Sequence, residues 1–345
     1  MAYTNLRQGL RPGLRPILRH YLRHYLSALI AACGLLAALP ATAGQWDFGL
    51  YASLWGSREY QVWLPSNYNA GTPLPVVLML HGCGSEPNSM AAVSRYNALA
   101  DSENFIVVYP RQNATANPMR CWNFMLPLNQ ERGTGEPAVL MGILNKVKNQ
   151  YAVDERRVYM TGISAGGAMA SIMAACYSDV FAAVMVHSGG MYKGAIGMVT
   201  AADSLFNGSA FDPKVRGKDA WRCSGSPRRL MPTMVFHGTS DIVVNPVNGE
   251  QTIEQFLQTS DYGDDGLDND SVRYRADSIV RQTVPYGRSY SIDTYLHNGA
   301  VIAQKYTVEG MNHAWSGGPP GWPFSDELGP DATAISWNFF KQYQR

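Results

Sequence analysis

Three residues suited to covalent acyl transfer follow one another along this 345-residue chain: Ser164, Asp241 and His313. A serine hydroxyl is a poor nucleophile near neutral pH. It needs an imidazole to take its proton and a carboxylate to orient that imidazole. Ser164 stands in Gly162-Ile163-Ser164-Ala165-Gly166, after the strand-like run Arg157-Val158-Tyr159-Met160-Thr161 and before the small residues Gly167-Ala168-Met169-Ala170-Ser171. Chance supplies a G-x-S-x-G pentad too readily for it to carry a claim alone. A strand before it and a helix after it give it the form of a nucleophile elbow, a sharp turn whose flanking positions have no room for side chains.

The order serine, acid, histidine is the one used by α/β-hydrolases. Asp241 follows the strand-like Met234–His237 through a glycine turn, where an open parallel sheet places its site. His313 lies in Glu309-Gly310-Met311-Asn312-His313-Ala314-Trp315, after the strand-like Ile302–Val308. The other histidines fit the base less well. His187 precedes Asp241, and His297 stands before Asn298-Gly299, a hairpin-turn signal. His237 supports the acid loop or packs, and His81 reads as a structural residue beneath its own loop. An oxyanion hole needs two backbone N–H groups. Ala165, directly after the nucleophile, supplies one. Cys83, in the His81-Gly82-Cys83-Gly84 loop that follows Val76–Leu80, supplies the other.

These loops must sit on a scaffold. Candidate strands are Tyr60–Leu64, Val76–Leu80, Ile106–Tyr109, Val158–Thr161, Ala182–His187 and Met234–His237. Val76–Leu80 and Ile106–Tyr109 are continuous apolar runs, which suit strands buried on both faces of a parallel sheet. Helical patterns cover Ser89–Ser102, Ala138–Asn149 and Asp331–Tyr343. The alternation predicts an α/β-hydrolase fold, a mostly parallel central sheet with helices on both faces. It is expected as one catalytic domain over residues 44–345, with no separate polymer-binding module.

Residues 1–43 read as a signal peptide: five arginines, an apolar Leu26–Leu39 run and Ala41-Thr42-Ala43. Ile30-Ala31-Ala32-Cys33 also has the form of a lipoprotein box, but the apolar run continues past it. Cleavage after Ala43 leaves 23 basic against 27 acidic residues. No basic block remains, which argues against nucleic acid as a partner, and the apolar run is short for stable membrane insertion. Oligomeric state is not set by the sequence. Cys83, Cys121, Cys176 and Cys223 remain, an even number that reads as two disulfides with three possible pairings. No C-x-x-C pair exists, and neither metal nor organic cofactor is called for. Ser260–Ser271, rich in aspartate and glycine, reads as a solvated surface loop. A calcium loop is the sharper alternative, although Val272 stands at the twelfth position where such a loop has a glutamate.

Four segments together resemble the polyhydroxybutyrate depolymerase family of esterases: His81-Gly82-Cys83, Arg120-Cys121-Trp122-Asn123, Gly162 to Met169, and Asn312-His313-Ala314-Trp315. Phe181-Ala182-Ala183-Val184 with His187-Ser188-Gly189 fits as well. The resemblance spans roughly Tyr60 to Gly318. It implies Ser164, Asp241 and His313 as the triad, with the Cys83 amide in the oxyanion hole. It implies a Cys83–Cys121 disulfide, and with it Cys176–Cys223. Trp122 and Trp315, beside the site loops, are expected to bind the substrate by lining a groove. The function this implies is a secreted serine esterase acting on polyhydroxyalkanoate polyester or its oligomers. Feruloyl or acetyl-xylan esterase is the alternative, and a non-catalytic binding protein on the same scaffold a use of another class.

Overall fold

Alternation of buried strands and helices builds a ten-stranded sheet in the computed structural model, which describes residues 43–345. The expected leader segment lies outside the described residues. In chain order the elements are β1 (Gln45–Ser53), β2 (Gly56–Leu64), β3 (Leu74–Leu80), α1 (Pro87–Ser94), α2 (Tyr96–Glu103), β4 (Ile106–Pro110) and α3 (Gly135–Gln150). Then come β5 (Val153–Ile163), α4 (Ala165–Cys176), β6 (Ala183–His187), α5 (Met198–Asn207), α6 (Pro213–Cys223), β7 (Thr233–Gly238) and α7 (Val247–Asp265). The chain closes with β8 (Ser278–Thr283), β9 (Ser289–His297), β10 (Ala300–Val308), the two-residue β11 (Trp315–Ser316) and β12 (Ser325–Asp326), and α8 (Ala332–Phe340).

The strand order is β1-β2-β4-β3-β5-β6-β7-β10-β9-β8. The run from β4 to β10 is parallel, and antiparallel hairpins flank it on both sides. Every residue of β3, β4, β6 and β7 is buried, as expected of largely apolar strands covered on both faces. Alternate residues feed two cores. Val76, Leu78 and Leu80 pack with Leu140 and Ile143 of α3 and Met169 of α4. Val77 and Met79 face the other way, toward Tyr96, Phe105 and Trp337.

β4 lies on one side of β3 and β5 on the other, so chain direction across the sheet reverses at β3. In open parallel sheets the crevice beyond such a switch point receives ligands. The loop after β3 and the elbow after β5 both open there, in register, with Leu80 paired to Gly162.

Two expectations are corrected. The Ser89–Ser102 helix is two helices, because Arg95 between them adopts a left-handed conformation, with φ of 58°. From that corner its guanidinium reaches Gly317 O at 2.6 Å and Asp331 Oδ2 at 2.9 Å. The Asp-rich segment is not wholly a solvated loop, since α7 runs through it to Asp265. Asp261 is buried, and its carboxylate accepts Asn269 N–H at 3.1 Å, Ser271 Oγ–H at 2.8 Å and Val272 N–H at 3.1 Å. It therefore folds the following turn back onto the helix.

Candidate active site

The elbow is shaped by close backbone packing. Ser164 has φ of 58° and ψ of −126°, a conformation that costs a non-glycine residue about 1–3 kcal/mol. Surrounding contacts hold it there. A Cβ on Gly162 would lie 2.5 Å from the Gly166 carbonyl, and one on Gly166 would lie 2.5 Å from Leu80 O and 2.6 Å from His81 O. The Ser164 N–H donates to His187 O at 3.0 Å. All twelve residues of α4 are buried, which only small side chains at its start allow.

Acid and base meet on two stitched loops. Thr239 N–H donates to Val308 O at 3.0 Å, and Ser240 N–H to Met311 O at 3.1 Å. His313 Nδ1–H then donates to Asp241 Oδ2 at 2.8 Å. The other oxygen of Asp241 accepts Val243 N–H at 3.0 Å and Val244 N–H at 2.8 Å. Burial alone would raise the pKa of this carboxyl. The bonds from His237 and His313, the charge of His313 and the Val244 amide overcome it, so the group sits well below the usual carboxylate range.

The loop after β3, where the oxyanion donor is expected, lies against Ser164, since a Cβ on Gly82 would stand 3.2 Å from Ser164 Cβ. Among the described residues the Cys83 N–H donates to no protein acceptor. The Ala165 N–H, at the first position of α4, belongs to the amides a helix leaves without an internal partner. Disulfides join Cys83 to Cys121 and Cys176 to Cys223, with S–S of 2.00 and 2.08 Å, the pairing the resemblance implied.

A buried polar cluster, which sequence reasoning missed, underlies this loop. Glu136 Oε1 accepts Arg58 Nη2–H at 3.1 Å, Gln112 Nε2–H at 2.5 Å and Asn123 Nδ2–H at 2.9 Å. Its Oε2 accepts Asn123 N–H at 2.7 Å. Gln112 also donates to Cys121 O at 2.8 Å, and its backbone N–H to His81 Nε2 at 3.0 Å. His81 Nδ1–H donates to Gly82 O at 2.7 Å, and burial lowers the pKa of its imidazole. Charged residues scattered over 78 positions carry no spacing that could have announced the cluster.

The groove-lining expectation for the two tryptophans is corrected, because both rings are completely buried. Trp122 donates its indole N–H to His81 O at 3.1 Å. Trp315 donates to Thr333 Oγ1 at 3.0 Å and stacks on His187 at 4.8 Å. Each indole has a polar handle and finds its partner inside, so these rings support loops. The recess that Ser164 opens onto is narrow and is walled instead by Phe124, Met191, Ala201 and Leu205. His187 was passed over in the sequence and proves central in position. Its carbonyl holds the elbow, and its Nε2 accepts Ser316 N–H at 3.1 Å from the base loop. Complete burial, with smaller contributions from His237 and His313, lowers its pKa to about 3. His297 sits at a hairpin turn in which Asn298 and Gly299 have φ of 51° and 79°.

The parallel sheet flanked by helices is an α/β-hydrolase fold. Residues 58–276, well over half the chain, match the esterase PHB depolymerase family, and the chain belongs to that family. The match includes Cys83, Ser164 and Asp241 and ends before His313. Poly(3-hydroxyalkanoate) depolymerase C of Paucimonas lemoignei is 33% identical over 72% of this chain. Feruloyl esterase B of Thermothelomyces thermophilus is 28% identical over 53% of it. The chain spans 56% and 64% of these two relatives' lengths. Among solved structures, an acetyl xylan esterase from Aspergillus awamori shares the fold with a TM-score of 0.65 at 19% identity, over 86% of this chain and 99% of that one. No helix among the described residues is long and apolar enough to cross a membrane. Two disulfides are what an oxidising compartment outside the cytosol allows.

Proposed function

We propose that the chain is an exported carboxylic ester hydrolase that cleaves polyhydroxyalkanoate or its oligomers. The observation that carries this reading is the His313–Asp241 bond on loops beside the strained Ser164 elbow. Family membership and the depolymerase relative support the substrate class. A leader ending at Ala43 would provide the export.

His313 Nε2 takes the Ser164 proton as Oγ attacks the ester carbonyl. The carbonyl π electrons move to oxygen, and the Cys83 and Ala165 N–H groups hold that charge. Collapse breaks the bond to the alcohol, which leaves with the proton from His313. Asp241 stabilises the transient imidazolium and keeps its proton-bearing Nδ1 turned inward. Water, deprotonated by His313, then attacks the acyl-enzyme. The acid leaves, and Ser164 recovers its proton.

The recess walls, alanines and glycines with Phe124, Met191 and Leu205, suit a short acyl group. That property favours acetylated xylan as a second reading, with feruloyl esters behind it. Ser164→Ala should lower hydrolysis of p-nitrophenyl butyrate by at least about 10³-fold with the fold retained. Activity near that of the parent sinks the proposal. A panel of hydroxybutyrate oligomers, amorphous polyhydroxybutyrate, acetylated xylan and methyl ferulate separates the substrate readings.

A further inference from the structure

We infer that His237 is a second histidine on the acid, a positioning residue that shares Asp241 with His313. This rests on the triad reading. His237 is the penultimate residue of β7, four residues before Asp241, and both side chains are buried. Its Nε2 lies 2.9 Å from Val244 O and 3.4 Å from Asp241 Oδ2. A carbonyl cannot donate, so Nε2 carries a proton, which bonds the carbonyl and points its positive end alongside the carboxylate oxygen. Asp241 Oδ2 is the oxygen that also receives His313 Nδ1–H. One oxygen thus faces two imidazole N–H groups, bonded by His313 and approached by His237.

Nδ1 of His237 is the counterpart, buried with no hydrogen-bond partner. Helix α7 explains how the ring reaches this place. A Cβ on Gly249 would stand 2.8 Å from Nδ1, so only glycine lets the imidazole lie against the helix. The ring is wedged between α7 and the acid, with Nε2 fixed toward the carboxylate and no room to turn. The donor at Nε2 bonds Val244 O and lies alongside the acid, while the unpartnered Nδ1 is a cost the site bears.

The consequence is electrostatic as well as steric. A donor on Asp241 Oδ2 withdraws part of the negative charge that His313 feels. The titratable groups facing this centre are His187 from β6, His237 from β7 and His313 from the base loop. His187 is held neutral by burial, its pKa lowered to about 3. Among these groups His237 is therefore the one set to tune how strongly the acid pulls on the base.

The test is the pH profile of kcat/KM for p-nitrophenyl butyrate in three variants, each checked for a native near-UV CD spectrum. His237→Leu removes the donor, and its acid limb should move up by about half a pH unit. His237→Gln, whose amide N–H reaches the Nε2 position, should keep the limb of the parent. Gly249→Ala leaves every titrating group in place but crowds Nδ1, and should move the limb in the same direction as His237→Leu. A lower rate with an unmoved limb in both Leu and Ala variants would overturn the inference and leave His237 a packing residue. If His237→Leu fails to fold, the Gly249→Ala limb decides. Fluorophosphonate labelling of the parent protein stands apart: an unlabelled Ser164 defeats the triad reading itself, whatever the limbs do.

Discussion

The elbow and the oxyanion loop lie side by side and are held by opposite means. At Ser164 the constraint is steric: Gly162 and Gly166 let backbone meet backbone, and nearly every neighbour is apolar or a carbonyl. At Cys83 the constraint is polar: Arg58, Gln112, Glu136, Asn123 and His81 bond to one another beneath the loop, and a disulfide closes it from above. Shape fixes the proposed nucleophile. A saturated hydrogen-bond cluster fixes the loop of the proposed oxyanion amide. The two halves should therefore fail differently when disturbed.

The largest effect should come from the polar half. Glu136→Ala leaves the Arg58 guanidinium buried without its partner, which should lower stability by about 4 kcal/mol in chemical denaturation. Adding Arg58→Met should restore part of that loss. A double variant no better than the single would show that the cluster is not organised around this pair. On the steric side, Gly166→Ala pushes a methyl into two carbonyl oxygens that belong to the β3 end. It should cost about 2–3 kcal/mol and greatly slow fluorophosphonate labelling.

A smaller effect separates the halves by pH. The pKa of His187 is lowered to about 3 in the fold, against about 6.5 when unfolded. The unfolded chain binds the extra proton between these values, so stability falls as pH drops from about 6.5 toward 3. Replacing His187 with Gln should flatten that part of the curve, measured as unfolding midpoint against pH. Asp241, its folded pKa depressed, adds stability that is lost only below the ordinary carboxylate range, near pH 4 and under. Trp122→Phe should give the smallest change. It removes one hydrogen bond to His81 O, about 1 kcal/mol, and should leave the substrate range untouched because the ring faces no recess. An altered substrate range would return Trp122 to the site.

This contrast also explains what could be read in advance. Glycines that must meet backbone announce themselves by type and spacing, as Gly162 and Gly166 do. Strands buried on both faces announce themselves as unbroken apolar runs, as Val76–Leu80 does. Asp241 and His313 could be singled out because each follows a strand and their order is constrained by the sheet. Arg58, Gln112 and Glu136 could not, because a charge in sequence looks solvated until its partners are known. Asp261 misled for the same reason: its neighbours are acidic and exposed, while it is buried and bonded to three groups of the next turn. Trp122 and Trp315 lie near the site in sequence, yet their indole N–H groups are satisfied inward. The break at Arg95 carries no glycine or proline to mark it, and its contact with Asp331 lies 236 residues away.

The register of β3 against β5 has one further implication. The loop carrying Cys83 and the turn carrying Ser164 leave adjacent strands at paired positions, Leu80 and Gly162. The two loops therefore start one inter-strand repeat apart, about 4.8 Å, which sets the baseline from which the proposed nucleophile and the proposed oxyanion donor are placed.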